Sequence, residues 1–144
     1  MIASVFNQGS ISVLERVVQF TSARQAVLAD NIANLSTPYF KPRDVDPREF
    51  QRALGEAIDD RRQQPDGITG DLHLRDTPQI EYHAGALTLS PGSRNENITF
   101  HDRNNRDVER IMQDLAENAM THRLAIDMLR NQFDMLRTAI RERV

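Results

Sequence analysis

Apolar positions recurring at three- and four-residue steps mark both ends of this chain as helical. Near the N-terminus Leu14, Val17, Thr21, Leu28, Ile32 and Leu35 keep that spacing, and Val13, Val18, Phe20 and Val27 widen the stripe. Ser12 and Glu15 form a Ser-x-x-Glu box, in which each side chain satisfies an orphan backbone donor, so the helix is expected to begin at Ser10 or Ser12. Near the C-terminus Val108, Ile111, Leu115, Ala119, His122, Ile126, Leu129, Phe133, Leu136 and Ile140 hold one register without a break. Asn104 or Asn105 can cap this helix. Asp107 and Glu109 stand near its positive end, and Arg137, Arg141 and Arg143 near its negative end. A helix of about 36 residues spans roughly 54 Å. A single seam of that length calls for another long helix, either the N-terminal one or one from a neighbouring subunit.

Between the two ends the pattern breaks. All six prolines lie between Pro38 and Pro91, and five of the six glycines between Gly55 and Gly92. Asp46-Pro47-Arg48-Glu49 supplies an N-cap, a proline at the first helical position and a capping-box glutamate. Phe50, Leu54, Ala57 and Ile58 give that helix one apolar face, and it should stop near Arg62. Beyond it the chain is turn-rich, with short extended pieces at "QIEYH", "ALTL" and "NITF". No packed core of its own is expected in this stretch, which reads as a flexible or partner-ordered loop rather than a second domain. The fold class is therefore mainly α: long N- and C-terminal helices packed as a coiled-coil-like pair, with a short helix and a partly extended middle. The expected organisation is one structural domain, with an N-terminal axial helix (1–36), a strap, short helix and irregular loop (37–106), and a C-terminal axial helix (107–144).

Composition narrows the function classes. Charged residues are 27% of the chain and hydrophobic ones 39%, and the net charge is −3 with no long basic block, which argues against nucleic acid. No apolar run reaches the ~20 residues of a membrane span, and "MIASVFNQGSIS" lacks the basic start and long apolar core of a cleavable signal peptide. With no cysteine, disulfides and thiolate metal sites are excluded.

Chemistry is equally sparse. His73, His83, His101 and His122 are scattered, with no His-x-x-x-His pair, so no metal site is expected. His122 falls on the apolar seam and reads as a structural histidine. Asp59-Asp60 and Asp44/Asp46 read as a solvated helix end and a cap, not as acid–base pairs. There is no phosphate-binding glycine loop and no Gly-x-Ser-x-Gly. Met112, Met120, Met128 and Met135 suit helix packing better than a cofactor box. No enzyme, cofactor or small-molecule substrate is expected.

One stretch, "LADNIANLSTPYFKPRDVD", resists this summary. Asn31 and Asn34 interrupt a good helical face, and Pro38 and Pro42 force the following chain out of helical geometry. Taken alone, the residues fit either a helix end with a docking strap or a specific recognition motif.

The longer run "RQAVLADNIANLSTPYFKPRDVD" resembles the N-terminal signature of the bacterial flagellar axial family of rod and hook proteins, roughly L-A-x-N-I-A-N-x-x-T-P-G-Y-K-x-R. Leu28, Ala29, Asn31, Ile32, Ala33, Asn34, Thr37, Pro38, Lys41 and Arg43 match it. The C-terminal run from Asp102 to Ile140 is similar to the ending of the short rod proteins, including a Leu-Ala-x-Asn step at Leu115 to Asn118. Tyr39 and Phe40 stand where the family has Gly-Tyr, which puts a tight turn with positive φ in question.

The resemblance implies a structural subunit of the flagellar proximal rod. Such a subunit self-assembles by helix packing into a periplasmic tube and is exported by the flagellar type III apparatus without a cleaved signal. It implies partners in other copies, FlgC-like rod proteins, a FliE-like adaptor and export-gate proteins. Leu28, Ala29, Asn31, Ile32, Ala33, Asn34, Thr37 and Pro38 would form an assembly motif. The helix seam would comprise Leu14, Val17, Val108, Ile111, Leu115, Ala119, Ile126, Leu129, Phe133, Leu136 and Ile140. Another axial protein such as FlgC, and a cytosolic coiled-coil adaptor, remain as alternatives.

Overall fold

The computed structural model describes residues 9–64, 72–83, 85–93 and 108–141. In chain order these form α1 (Ser10–Ala33), β1 (Arg43–Asp44), α2 (Pro47–Arg62), β2 (Ile80–His83), β3 (Ala86–Leu89), β4 (Gly92–Ser93) and α3 (Val108–Arg141). The fold is mainly helical, with a long helix at each end, as the hydrophobic pattern predicts. The cap suggested at Asn104 or Asn105 and the extended piece at 97–100 lie outside the described residues.

The helix starts show which local signals hold. Asp46 caps α2, its side chain accepting from the Arg48 amide at 2.9 Å, with Pro47 at the first helical position. The box expected at Ser12 does not form. Gly9 is the N-cap of α1 and supplies no side-chain cap, while Ser12 lies buried in the first turn, accepting from Arg61 at 2.9 Å. A long-range arginine has taken the hydroxyl that the box would have used.

The core overturns one expectation. Phe20 of α1 stacks on Phe50 of α2, ring centroids 4.1 Å apart and planes within 3°. Around this pair gather Val45, Leu54, Ala57, Leu72, Leu74 and Ile80, all buried. The stretch after α2, read as having no packed core of its own, contributes three of these eight residues, Leu72, Leu74 and Ile80, to a core shared with α1 and α2. Leu72 and Leu74, and Ile80 with half-buried Tyr82, alternate inward as a half-buried strand requires. Burying a side chain such as Phe50 contributes about 1.5–3 kcal/mol.

Two short antiparallel pairs close this face. In one, β2 pairs with β3, Ile80 opposite Leu89 and His83 opposite Ala86. The carbonyl of Gly85 at its tip accepts from Arg16 at 3.0 Å and from Gln19 at 3.1 Å, and Arg16 also lies 4.3 Å over the Tyr82 ring. In the other, β1 pairs with β4, Arg43 opposite Ser93 and Asp44 opposite Gly92. A Cβ at Gly92 would stand 2.9 Å from the Gln79 side-chain nitrogen, so a larger residue there would need that flexible side chain to shift.

On its other side α1 meets α3. Only Ile111, Asn118 and Ala125 of α3 are fully buried. Leu115, His122, Ile126, Leu129, Phe133 and Leu136 are half-buried beside them, while Val108, Ala119 and Ile140 are exposed. Of the N-terminal seam positions, Leu14 and Val17 are half-buried. Val108, Ala119 and Ile140 of the expected seam therefore do not pack on α1 within the single chain. A straight helix drifts against a fixed heptad, and the closest approach falls on Asn118 and Ala125 instead.

Candidate functional site

The end of α1 and the strap after it form one built unit. Asn31 lies three residues after Leu28 and seven after Arg24, so all three share a helix face. Leu28 is 0% exposed and Asn31 1%. The Asn31 amide donates from Nδ2 to the Arg43 carbonyl at 2.6 Å, and its Oδ1 accepts from the Arg43 amide at 3.0 Å. One side chain thus bonds both main-chain groups of one residue, as a neighbouring strand would. Arg24 adds a bidentate pair to Asp44, Nε to Oδ1 at 2.9 Å and Nη2 to Oδ2 at 2.7 Å, both side chains nearly buried. Asp44 Oδ1 also accepts from the Val45 amide at 2.8 Å, and Val45 enters the core. Asp44, read with Asp46 as a cap, is instead the counter-ion of a buried arginine.

Asn34 behaves differently. It ends the helix at φ −102°, outside the left-handed region, and its Nδ2 turns back to the Asp30 carbonyl at 2.9 Å. Turns follow rather than the expected extended run: the Thr37 amide donates to the Asn34 carbonyl at 2.9 Å, and the Phe40 amide to the Thr37 carbonyl at 3.3 Å. Tyr39 takes φ 62°, so the turn exists without the glycine. Its side chain is 74% exposed, free of packing that would oppose the conformation.

The motif residues therefore divide. Leu28 and Asn31 point inward, Ile32 and Asn34 are half-buried, and Ala29, Ala33, Thr37 and Pro38 are exposed. Sequence reasoning missed Arg24 and Asn118. Arg24 could have been suspected, since an arginine on a buried face needs a counter-ion.

A polar cluster joins α1 to α3. Asn118 donates to the Thr21 carbonyl at 2.8 Å and to Gln25 Oε1 at 2.7 Å. The Thr21 hydroxyl lies 2.7 Å from the Val17 carbonyl and 2.8 Å from His122 Nδ1. With the hydroxyl proton given to Val17, Nδ1 of His122 carries the proton shared with Thr21. His122 is thus a half-buried structural histidine, and these bonds fix the register of α3 along α1.

Among the described residues no three His, Asp or Glu side chains converge as metal ligands, and no helix is long and apolar enough to cross a membrane. A cleft of about 570 Å³ beside the strap mixes Arg24, Arg48 and Arg110 with Asp44, Asp46 and Asp114, without a nucleophile–base pair.

The helix end and strap carry the likeness to known proteins. The family model for the flagella basal body rod protein matches residues 19–41, the segment that runs from the core face of α1 through Asn31 to the turn at Tyr39. Over nearly the whole chain, flagellar basal body rod protein FlgB of Borrelia hermsii is 29% identical across 136 residues, covering 92% of this chain and 96% of its own. The chain is similar to flagellar basal body rod proteins over nearly its whole length. FlgB of Bacillus subtilis (strain 168) is 26% identical over 132 residues, covering 92% and 93% of the two chains. FlgB of Proteus mirabilis (strain HI4320) is 25% identical over 136 residues, covering 89% and 90%. The matching family is named for the rod of the flagellar basal body.

Proposed function

We propose that this chain is a self-assembling structural subunit of the proximal rod, part of the drive shaft that crosses the periplasm. The observation that carries this reading is the second apolar face of α3. One face lies on α1, while Met120, Leu124 and Met135 outside it are exposed, and Met128, also exposed, borders the groove beside α1. Methionine-rich faces adapt to irregular partners, and so long an apolar row is hard to leave in water. The exposed motif residues Ala29, Ala33, Thr37 and Pro38 extend this surface onto the end of α1. Stacking into a tube uses two different patches on each subunit, since only such contacts propagate.

On this reading the chain leaves the cell by the flagellar export route without a cleaved signal. It meets other copies, FlgC-like rod proteins and, at the base, a FliE-like adaptor and the export gate. The experiment is localisation: an epitope-tagged chain should co-purify with hook–basal bodies and map to the rod. A tagged, functional chain found only in the cytoplasm overturns the proposal and favours an adaptor.

A further inference from the structure

We infer that Tyr39 and Lys41 of the strap dock on the outward face of α3 in a second copy of the chain, the ring lying on Met120 and Leu124 and the ammonium reaching Asp127. The inference rests on the reading of the chain as a self-assembling subunit.

Tyr39 costs its own fold stability and returns nothing to it. Its φ of 62° lies in the left-handed region, where a side chain crowds the backbone and glycine would not. The side chain is exposed, and among the described residues the phenol has no hydrogen-bond partner and the ring no aromatic or cationic neighbour. Such strain persists only where the surroundings hold it, and the strap is held from behind. Pro42 is buried, and Asn31 bonds both main-chain groups of Arg43. Lys41, between Tyr39 and this anchorage, is exposed and has no ion-pair partner among the described residues. A strained aromatic and an unpaired cation on a fixed support are placed for a partner.

The same chain carries a surface that suits them. Met120, Leu124 and Asp127 follow one another at steps of four and three along α3, on the side opposite Asn118 and Ala125, which are buried against α1. Met120 and Leu124 are exposed. A thioether favours an aromatic ring, and its flexibility lets it close around one. Asp127 accepts only from Arg130, at 3.4 Å, in an exposed pair of the kind that contributes little. An incoming ammonium therefore meets a carboxylate beside the apolar patch. The two patches differ, so the contact is head-to-tail and propagates, as a tube requires. At position 39 the stability of the monomer and the strength of the contact are set against each other: glycine relieves the backbone and removes the ring.

Sedimentation velocity over a concentration series, with thermal melting of dilute protein, tests this. Wild type should self-associate. Tyr39→Gly should melt later than wild type when dilute, yet associate more weakly by about tenfold or more. Met120→Ala with Leu124→Ala should weaken association similarly and leave the dilute melting temperature unchanged. Adding Tyr39→Gly to that pair should cost little more, because all three changes remove one contact. Lys41→Glu and Asp127→Lys should each weaken association and together restore it toward wild type. Unchanged association in Tyr39→Gly or in the α3 variant, fully additive losses, or a charge-reversed pair no tighter than its singles would each overturn the pairing. Earlier melting of Tyr39→Gly would make the ring a support of the fold instead. Missing rods in a Tyr39→Gly strain whose protein self-associates normally would assign the strap to a different rod protein and overturn the pairing as well. Basal-body localisation separates the two readings. A wild type found in the rod yet monomeric in solution overturns the pairing alone, whereas absence from the rod overturns the rod reading.

Discussion

The two sides of α1 differ in what they bury. One side meets the strap, α2 and the leucine-rich segment in a core of aromatic and aliphatic side chains, Phe20 stacked on Phe50 and Val45 fully enclosed. The other meets α3, where an asparagine, an alanine and an isoleucine are the only fully buried contributors from 34 residues. None of the main core comes from α3. The irregular, proline-rich part of the chain is therefore the well-packed part, and the most regular helix is the least covered. Regularity reports local backbone preference, and stability reports burial; here they separate. α3 is positioned in register but incompletely buried, which fits the assembly proposed above.

The sharpest way to break this contrast is to remove a ring from the core. Phe50→Ala should destabilise the dilute monomer by about 3–5 kcal/mol, read by chemical denaturation. Leu124→Ala, on the outward face of α3, should change it by less than about 0.5 kcal/mol. Hydrogen exchange on the native monomer should show α3 amides exchanging faster than those of α2. Equal protection would mean that α3 is held as firmly as the core.

A carboxylate on the α1-facing side of α3 probes the weaker interface. Leu129→Asp is expected to cost about 2 kcal/mol or more where its surroundings stay apolar. Secretion should persist and complete rods should be missing from electron micrographs. Near-normal rod numbers would remove Leu129 from the seam.

The two asparagines offer a finer test. Asn31→Ala strands both main-chain groups of Arg43 and should cost about 1–3 kcal/mol in the monomer. Asn34→Ala gives up a bond to its own helix and should be close to neutral, because alanine favours helix. Denaturant midpoints of the two single variants decide it, and equal losses would contradict the division of roles. A gain rather than a loss is expected at Tyr39. With φ at 62°, Tyr39→Gly should stabilise the chain by about 1 kcal/mol, visible as a small rise in melting temperature.

What could be read in the sequence was local. The α2 cap at Asp46-Pro47 depends on adjacent residues, and the long helices declare themselves by periodicity. The core did not show, because Leu72, Leu74 and Ile80 sit in pieces too short to carry a period and are defined by a partner dozens of residues away. Ser12 looked like a cap because nothing nearby reveals that Arg61 will claim its hydroxyl. Asn31 and Asn34 look alike in sequence. Their difference lies in which face of α1 each occupies and in a strap that returns twelve residues later. The signature around them could be matched, but its physical content required the fold.

The hold on the strap has an evolutionary corollary. Asn31 grips only the amide and carbonyl of Arg43, atoms that every residue except proline possesses in full. The side chain at position 43, and those at Tyr39 and Lys41, contribute nothing to that grip and lie exposed. Mutation can therefore rewrite the outward text of the strap while its anchorage stays the same. A lineage of duplicated subunits could acquire distinct neighbours in this way, each copy keeping the asparagine and changing only what it displays.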